Sequence, residues 1–128
     1  MQLNLENSSE NTLIRRFRET DSGSEILIGE ETYHSSIILT PTGVSLWQVT
    51  NINGLGLEDI QQLSELTTEV IILGTGKQIQ FPNPEITRPM VEKQKGLEVM
   101  DTAAACRTYN ILLSDGRSVS AALILDIV

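Results

Sequence analysis

Four branched apolar residues, Val70-Ile71-Ile72-Leu73, run straight into Gly74-Thr75-Gly76-Lys77. A run of that kind reads as a strand buried on both faces, and its exit is a turn that glycine makes most easily. A second stretch repeats the plan. Leu97-Glu98-Val99-Met100 leads into Asp101-Thr102 and then into an alanine-rich segment with helical character. Between them Thr87 and Pro89 open a short helical pattern, expected over residues 88–95, with Thr87 as its N-cap and Gly96 as its stop. A strand–helix–strand of this length implies a right-handed crossover between parallel neighbours. Both turns then open at one edge of the sheet, where open α/β sheets bind their ligands.

The remaining elements fall into two halves. Before residue 50 the chain reads as antiparallel hairpins. Strands are expected over 13–18, with Leu13 and Phe17 inward, over 25–29, over 33–40 and over 44–49. Turns are expected at 21–24, 30–32 and 41–43. After residue 50, Leu57, Ile60, Leu63 and Leu66 predict an amphipathic helix over 57–67, with Glu58 and Asp59 favourable in its first turn. A loop covers residues 75–84. A last helix runs from Thr102, as cap, to Leu113, with Ala105, Cys106, Tyr109, Leu112 and Leu113 on its buried side. Asp115-Gly116 also permits a hairpin there, but the alanine run favours the helix. A final strand through Val119, Ala121, Leu123 and Leu125 is apolar on both faces.

Bulk properties narrow the function. The 128 residues suit a flexible polar tail over 1–11 and a single globular domain over 12–128. Seventeen acidic and nine basic residues give a net charge of −8, so nucleic acid is not an expected partner. Cys106 is the sole cysteine and His34 the sole histidine, which leaves no multi-cysteine or multi-histidine metal site. No apolar run nears the about 20 residues of a bilayer span, and the N-terminus lacks a signal-like apolar core. A soluble protein of the reducing cytoplasm is the expectation.

The candidate motifs each carry a plain structural reading. Gly74-Thr75-Gly76-Lys77 lacks the third glycine of a dinucleotide fingerprint, since position 79 is Ile79, and lacks the spacing of a P-loop. It fits a tight turn where backbone passes backbone, with a ligand on its amides as the functional reading. Asp101 and Thr102 fit helix capping; with no partner acid or nucleophile in view, a general-base role for Asp101 has little to work with. Cys106 reads as a small core residue and His34 as a polar strand residue. Trp47 is either core or, if exposed beside Val49, a partner anchor. Arg15, Arg16 and Arg18 read as a solvated strand face, or as a charged docking patch.

The residues of the second half resemble a known family. Its hallmark loop matches Val70 to Gly76, and its pattern continues through Gly96 to Thr102, then Ala105, Thr108, Tyr109, Asn110, Leu112, Gly116-Arg117, Val119 and Ala121 to Leu123. This is the family of small, largely uncharacterised bacterial and archaeal domains whose eukaryotic relatives include the mitochondrial respiratory complex I assembly factor 3 and an adipogenesis-associated protein. The resemblance implies an α/β fold of three layers: a central mixed sheet flanked by helices, with an additional N-terminal β-hairpin element. It implies no catalytic activity and no cofactor, and its mitochondrial members imply work through protein contacts.

The reading is therefore a non-catalytic protein-binding domain, an assembly factor for a respiratory or other membrane complex. Its binding crevice is expected among Gly74, Thr75, Gly76, Lys77, Asp101, Thr102, Thr108, Asn110 and Arg117. The alternative is a small-molecule binder or an enzyme using the same crevice. A deep apolar pocket there would favour the ligand, and a shallow surface with exposed apolar side chains would favour a protein. A homodimer joined through the hairpin half is a third reading.

Overall fold

The computed structural model describes residues 12–126; the expected tail over 1–11 lies outside them. Strand β1 (Ile14–Thr20), β2 (Gly23–Ile28) and β3 (Glu31–Tyr33) form a small antiparallel sheet in that order. Strands β4 (Ile37–Thr40), β5 (Gly43–Leu46), β6 (Val70–Gly74), β7 (Glu98–Met100) and β8 (Val119–Leu123) form the central sheet, in the order β5-β4-β8-β6-β7. The β6–β7 and β6–β8 pairs are parallel, and β4 pairs antiparallel with both β5 and β8. Helices α1 (Leu57–Ser64), α2 (Arg88–Glu92) and α3 (Thr102–Ser114) complete the domain, with one 3-10 turn at Ile52–Gly54.

The period-two alternation of each central strand divides its side chains between two layers. Ile37, Leu39, Ile72, Ala121 and Leu123 face α3 and the small sheet, where Ala105, Cys106, Tyr109, Ile14, Ile26 and Ile28 close the core. Ile38, Ile71, Leu73, Ala122 and Ile124 face the other way, onto Ile60 and Leu63 of α1, Met90 of α2, and Trp47. A packed layer on each face of the central sheet is what the continuous apolar runs of β6 and β8, buried on both sides, require.

Several local expectations are corrected. The segment 33–40 is not one strand. β3 ends at Tyr33 in the small sheet, and β4 begins at Ile37 in the central one. Buried Ser36 fixes the crossing: its carbonyl accepts the Trp47 N–H at 2.9 Å, and its Oγ accepts the Leu125 N–H at 3.0 Å. The turn expected at 30–32 is tighter, since Glu31 already pairs with Ile28. In β1 the fully inward residue is Ile14, with Leu13 and Phe17 only half-buried. The strand expected over 44–49 stops at Leu46, which is 73% exposed, while Trp47 and Val49 are both core and so cannot anchor a partner.

The helices also end sooner than their patterns suggest. α1 stops at Ser64, and Leu57 stays half-exposed rather than joining Ile60 and Leu63. α2 stops at Glu92, and Thr87 donates its hydroxyl to the Pro84 carbonyl instead of capping. Its C-terminal stop is not Gly96. Gln94 takes the left-handed conformation at φ 57°, donating to the Val91 carbonyl, while the Lys95 N–H reaches back to the Met90 carbonyl at 2.9 Å. That pair of bonds is the Schellman arrangement. It places the Lys95 ammonium on the free carbonyls of Ser64 and Leu66 at the end of α1, so one residue closes two helices.

Candidate functional site

The turn after β6 is built by its own backbone. The Thr75 N–H donates to the Met100 carbonyl at 2.9 Å, extending the parallel pairing of β6 with β7. The Gly76 N–H donates to Thr102 Oγ1 at 2.8 Å, and Thr102 N–H donates back to the Gly76 carbonyl at 2.9 Å. The Thr102 hydroxyl in turn donates to the Ile124 carbonyl at 2.7 Å, and the Ile124 N–H donates to the Gly74 carbonyl at 3.0 Å. One buried hydroxyl therefore joins the exit of β6, the start of α3 and the end of β8. Thr102 does not cap the helix, because its hydroxyl is engaged in this junction. Asp101 is the N-cap, accepting the Ala104 N–H at 2.8 Å.

Each glycine of the turn has a physical reason. A Cβ on Gly74 would lie 3.0 Å from the Thr102 Cα and 3.1 Å from the Ala105 Cβ, so α3 crosses β6 in contact with its backbone. Gly76 has φ +105°, and a Cβ there would meet the Asp126 carboxylate at 2.7 Å. Asp126 also accepts the Lys77 N–H at 3.1 Å. The amides of residues 75, 76 and 77 are thus all committed to acceptors of the fold. The space between Gly74 and Asp101-Thr102 is filled by packed backbone. Asp126 was not singled out from the sequence, and its place immediately after an apolar strand gave only a general hint of a polar strand end.

Beyond that pinned base the loop changes character. Thr75 Oγ1 donates to the Gln78 carbonyl at 2.7 Å and accepts the Gln80 N–H at 3.2 Å, folding the segment back on itself. Lys77 through Phe81 then stand in solvent, with Ile79 at 50% and Phe81 at 73% exposure. A hollow of about 320 Å³ opens beside them, lined by Asn51, Asn53, Lys77, Gln78, Gln80 and Asp126 among others. Its walls mix polar groups with the apolar parts of the same side chains and Ile52.

The other expected site residues lie elsewhere. Thr108 sits half-buried on α3, six residues beyond Thr102, or about 9 Å along the axis. The Asn110 side chain clamps the small sheet to α3. Its Oδ1 accepts the Ile14 N–H at 2.9 Å and its Nδ2 donates to the Ile14 carbonyl at 2.8 Å. Arg117 stands before β8, at the opposite end of the central sheet from Gly74, where it pairs with Glu69 at 3.0 Å. The structure therefore brings Gly74, Thr75, Gly76, Lys77, Asp101 and Thr102 together and leaves Thr108, Asn110 and Arg117 apart from them.

Two titratable groups of α3, Cys106 and Tyr109, are held neutral by burial. Burial pushes the Cys106 thiol up to about 12, with Arg107 opposing the shift and Asp101 adding to it. Burial also raises the Tyr109 phenol, against a hydrogen bond with Thr12. A neutral, buried thiol is a poor nucleophile. His34 is exposed and lies 3.8 Å from Glu25. Among the described residues no group of three or more His, Cys, Asp or Glu could hold a metal ion, and no helix is long and apolar enough to cross a membrane.

Comparison with known proteins agrees with the expected resemblance. The pattern of the family described as "Protein of unknown function (DUF498/DUF598)" matches residues 18–124. NADH dehydrogenase [ubiquinone] 1 alpha subcomplex assembly factor 3 of Xenopus tropicalis is 32% identical over 110 residues, covering 84% of this chain and 60% of that protein. The chain thus spans less than two thirds of that relative's length. The 13 kDa major membrane protein of Francisella tularensis is 32% identical over 111 residues, covering 84% of this chain and 89% of that one. The solution structure of a Bordetella pertussis protein described as a Mth938-like domain matches with a TM-score of 0.74 at 28% identity, over 91% of this chain and 86% of that one.

Proposed function

The chain belongs to the DUF498/DUF598 family, and from that premise we propose that it is a non-catalytic protein-binding domain that helps assemble a respiratory or other membrane complex. The observation that carries this reading is the loop after β6. Its base is held by five hydrogen bonds of the Gly74–Lys77 backbone, to Met100, to Thr102 (two), to Ile124 and to Asp126, and its outer part presents Ile79 and Phe81 to solvent. A rigid base lowers the ordering cost of association, and an exposed aromatic beside an aliphatic residue is the usual composition of an interface centre. The docking surface is thus carried by the tip of the loop, with Lys77 at its edge, while Gly74, Thr75, Gly76, Asp101 and Thr102 hold it in shape. The relatives' names supply the partner class: one is named for assembly of NADH dehydrogenase, another as a membrane protein. We place the domain in the cytoplasm, meeting the membrane complex from that side.

The small-molecule alternative would use the hollow beside the loop. The engaged amides of residues 75–77 and the absence of a predominantly apolar wall favour the protein reading over it. The test is affinity capture from detergent-solubilised membranes of the host, comparing the native chain with Phe81→Ser and Ile79→Ser. Respiratory-complex subunits or their assembly proteins should be retained by the native chain and lost by both variants, whose melting points should match the native one. Equal recovery by all three chains, or recovery of none of those proteins, would remove the loop from the function.

A further inference from the structure

Arg15, Arg16 and Arg107 meet at one cavity. It has a volume of about 320 Å³ and lies between β1 and α3, with Phe17, Cys106 and Asn110 completing most of its wall. Three of the nine basic residues of a chain with net charge −8 thus line a single concave surface, and no carboxylate is part of that lining.

The backbone is shaped to put them there. Along a regular strand Arg15 and Arg16 would point to opposite faces. In β1, however, Ile14 pairs with Ile28 and Arg16 with Leu27, so Arg15 is an extra residue in a β-bulge. A bulge re-aims the side chains around it and is often found next to a binding site. Arg15 is steadied by donating to the Gly29 carbonyl at 3.3 Å. Arg18, two residues farther on, is instead neutralised by Glu25 at 2.6 Å. Arg16 and Arg107 have no ion-pair partner among the described residues. The Asn110 clamp on the Ile14 backbone holds the two walls together, which fixes the distance between the strand and helix arginines. Cys106, buried and neutral, contributes an uncharged floor.

Guanidinium groups present planar forks that match carboxylate and phosphate oxygens, and a cavity of this size holds a small metabolite rather than a peptide segment. We propose that this cavity is a binding site for a small multivalent oxyanion bearing phosphate or several carboxylates. The site is separate from the loop after β6 and does not rest on the protein-docking reading.

Inorganic pyrophosphate and citrate serve as the two probes, titrated by calorimetry at low ionic strength into the native chain and into Arg16→Gln, Arg107→Gln and Arg18→Gln. One of the anions should bind saturably at one site per chain. Each of the first two variants should bind it about tenfold or more weakly, as loss of a charge-assisted hydrogen-bonding group implies, and Arg18→Gln should bind as the native chain does. Tighter pyrophosphate assigns the site to phosphorylated ligands, and tighter citrate assigns it to polycarboxylates. Arg16→Lys keeps the charge but loses the fork, and should fall between the native chain and Arg16→Gln. All the substituted positions are exposed, so circular dichroism should show native folding in each variant. Failure of both anions to saturate, or equal weakening by Arg18→Gln, would overturn the proposal, since the second result reports only general charge.

Discussion

Replacing Thr102 with valine tests the junction that shapes the loop. Valine has nearly the volume and the β-branching of threonine, so packing and helix geometry are retained while one hydroxyl disappears. That hydroxyl accepts the Gly76 N–H and donates to the Ile124 carbonyl, and Thr102 is 1% exposed. Each lost bond is worth about 1 kcal/mol net, and the Gly76 N–H stranded in the interior adds about 1–3 kcal/mol. The expected loss is about 3 kcal/mol, which for a domain of this size lowers the melting point by about 12 °C. Urea unfolding followed by the fluorescence of Trp47, the one tryptophan and a buried one, measures it directly. Thr102→Ser keeps the hydroxyl and loses only a methyl group, so it should cost about 1 kcal/mol. A loss below about 1 kcal/mol for Thr102→Val, with an unchanged denaturant slope, would refute the claim that this hydroxyl joins three elements.

Other expectations follow from the same geometry. Asn110→Ala should cost about 2 kcal/mol through its two bonds to Ile14, and hydrogen exchange should show the Ile14 amide exchanging faster while the amides of β6 stay protected. Gly76→Ala forces a Cβ onto the Asp126 carboxylate at positive φ and should cost about 1–3 kcal/mol, measured by the same urea titration. Alkali should destabilise the fold. The Cys106 thiol titrates near 9.0 when unfolded and near 12 when native, so its contribution is complete below 9.0 and is lost as pH rises toward 12, at up to about 1.4 kcal/mol per pH unit. Tyr109 adds to the loss in the same direction. Cys106→Ala should flatten the fall of melting point over that range.

The second half of the chain was legible because its signals agree. An apolar run ending in glycine marks β6, alanines mark α3, and the crossover length between β6 and β7 dictates parallel pairing. The first half was less so. From Tyr33 to Thr40 nothing in the residues announces a break, because the change of sheet is made by Ser36 through bonds to Trp47 and Leu125, both distant in sequence. The extra residue at Arg15 is likewise invisible, since a bulge is a property of the pairing and not of the strand. Gln94 could not be chosen over Gly96 as the helix stop without knowing that Lys95 must reach α1. At the candidate site the sequence put the exits of β6 and β7 at one sheet edge, and the structure has them as parallel neighbours there. The division between residues that build the turn and residues that face solvent depends on Asp126 and Ile124, which arrive from the far end of the chain.

The most direct test of the docking account places a photo-reactive benzoylphenylalanine at position 81, with the same group at the exposed position 111 on α3 as control. After irradiation in intact host cells, the position-81 chain should form an adduct with a subunit or assembly protein of a respiratory or related membrane complex, and the position-111 chain should not. The same adduct from both positions, or none of these proteins at position 81, would contradict the central claim that the loop after β6 is the surface through which this domain works.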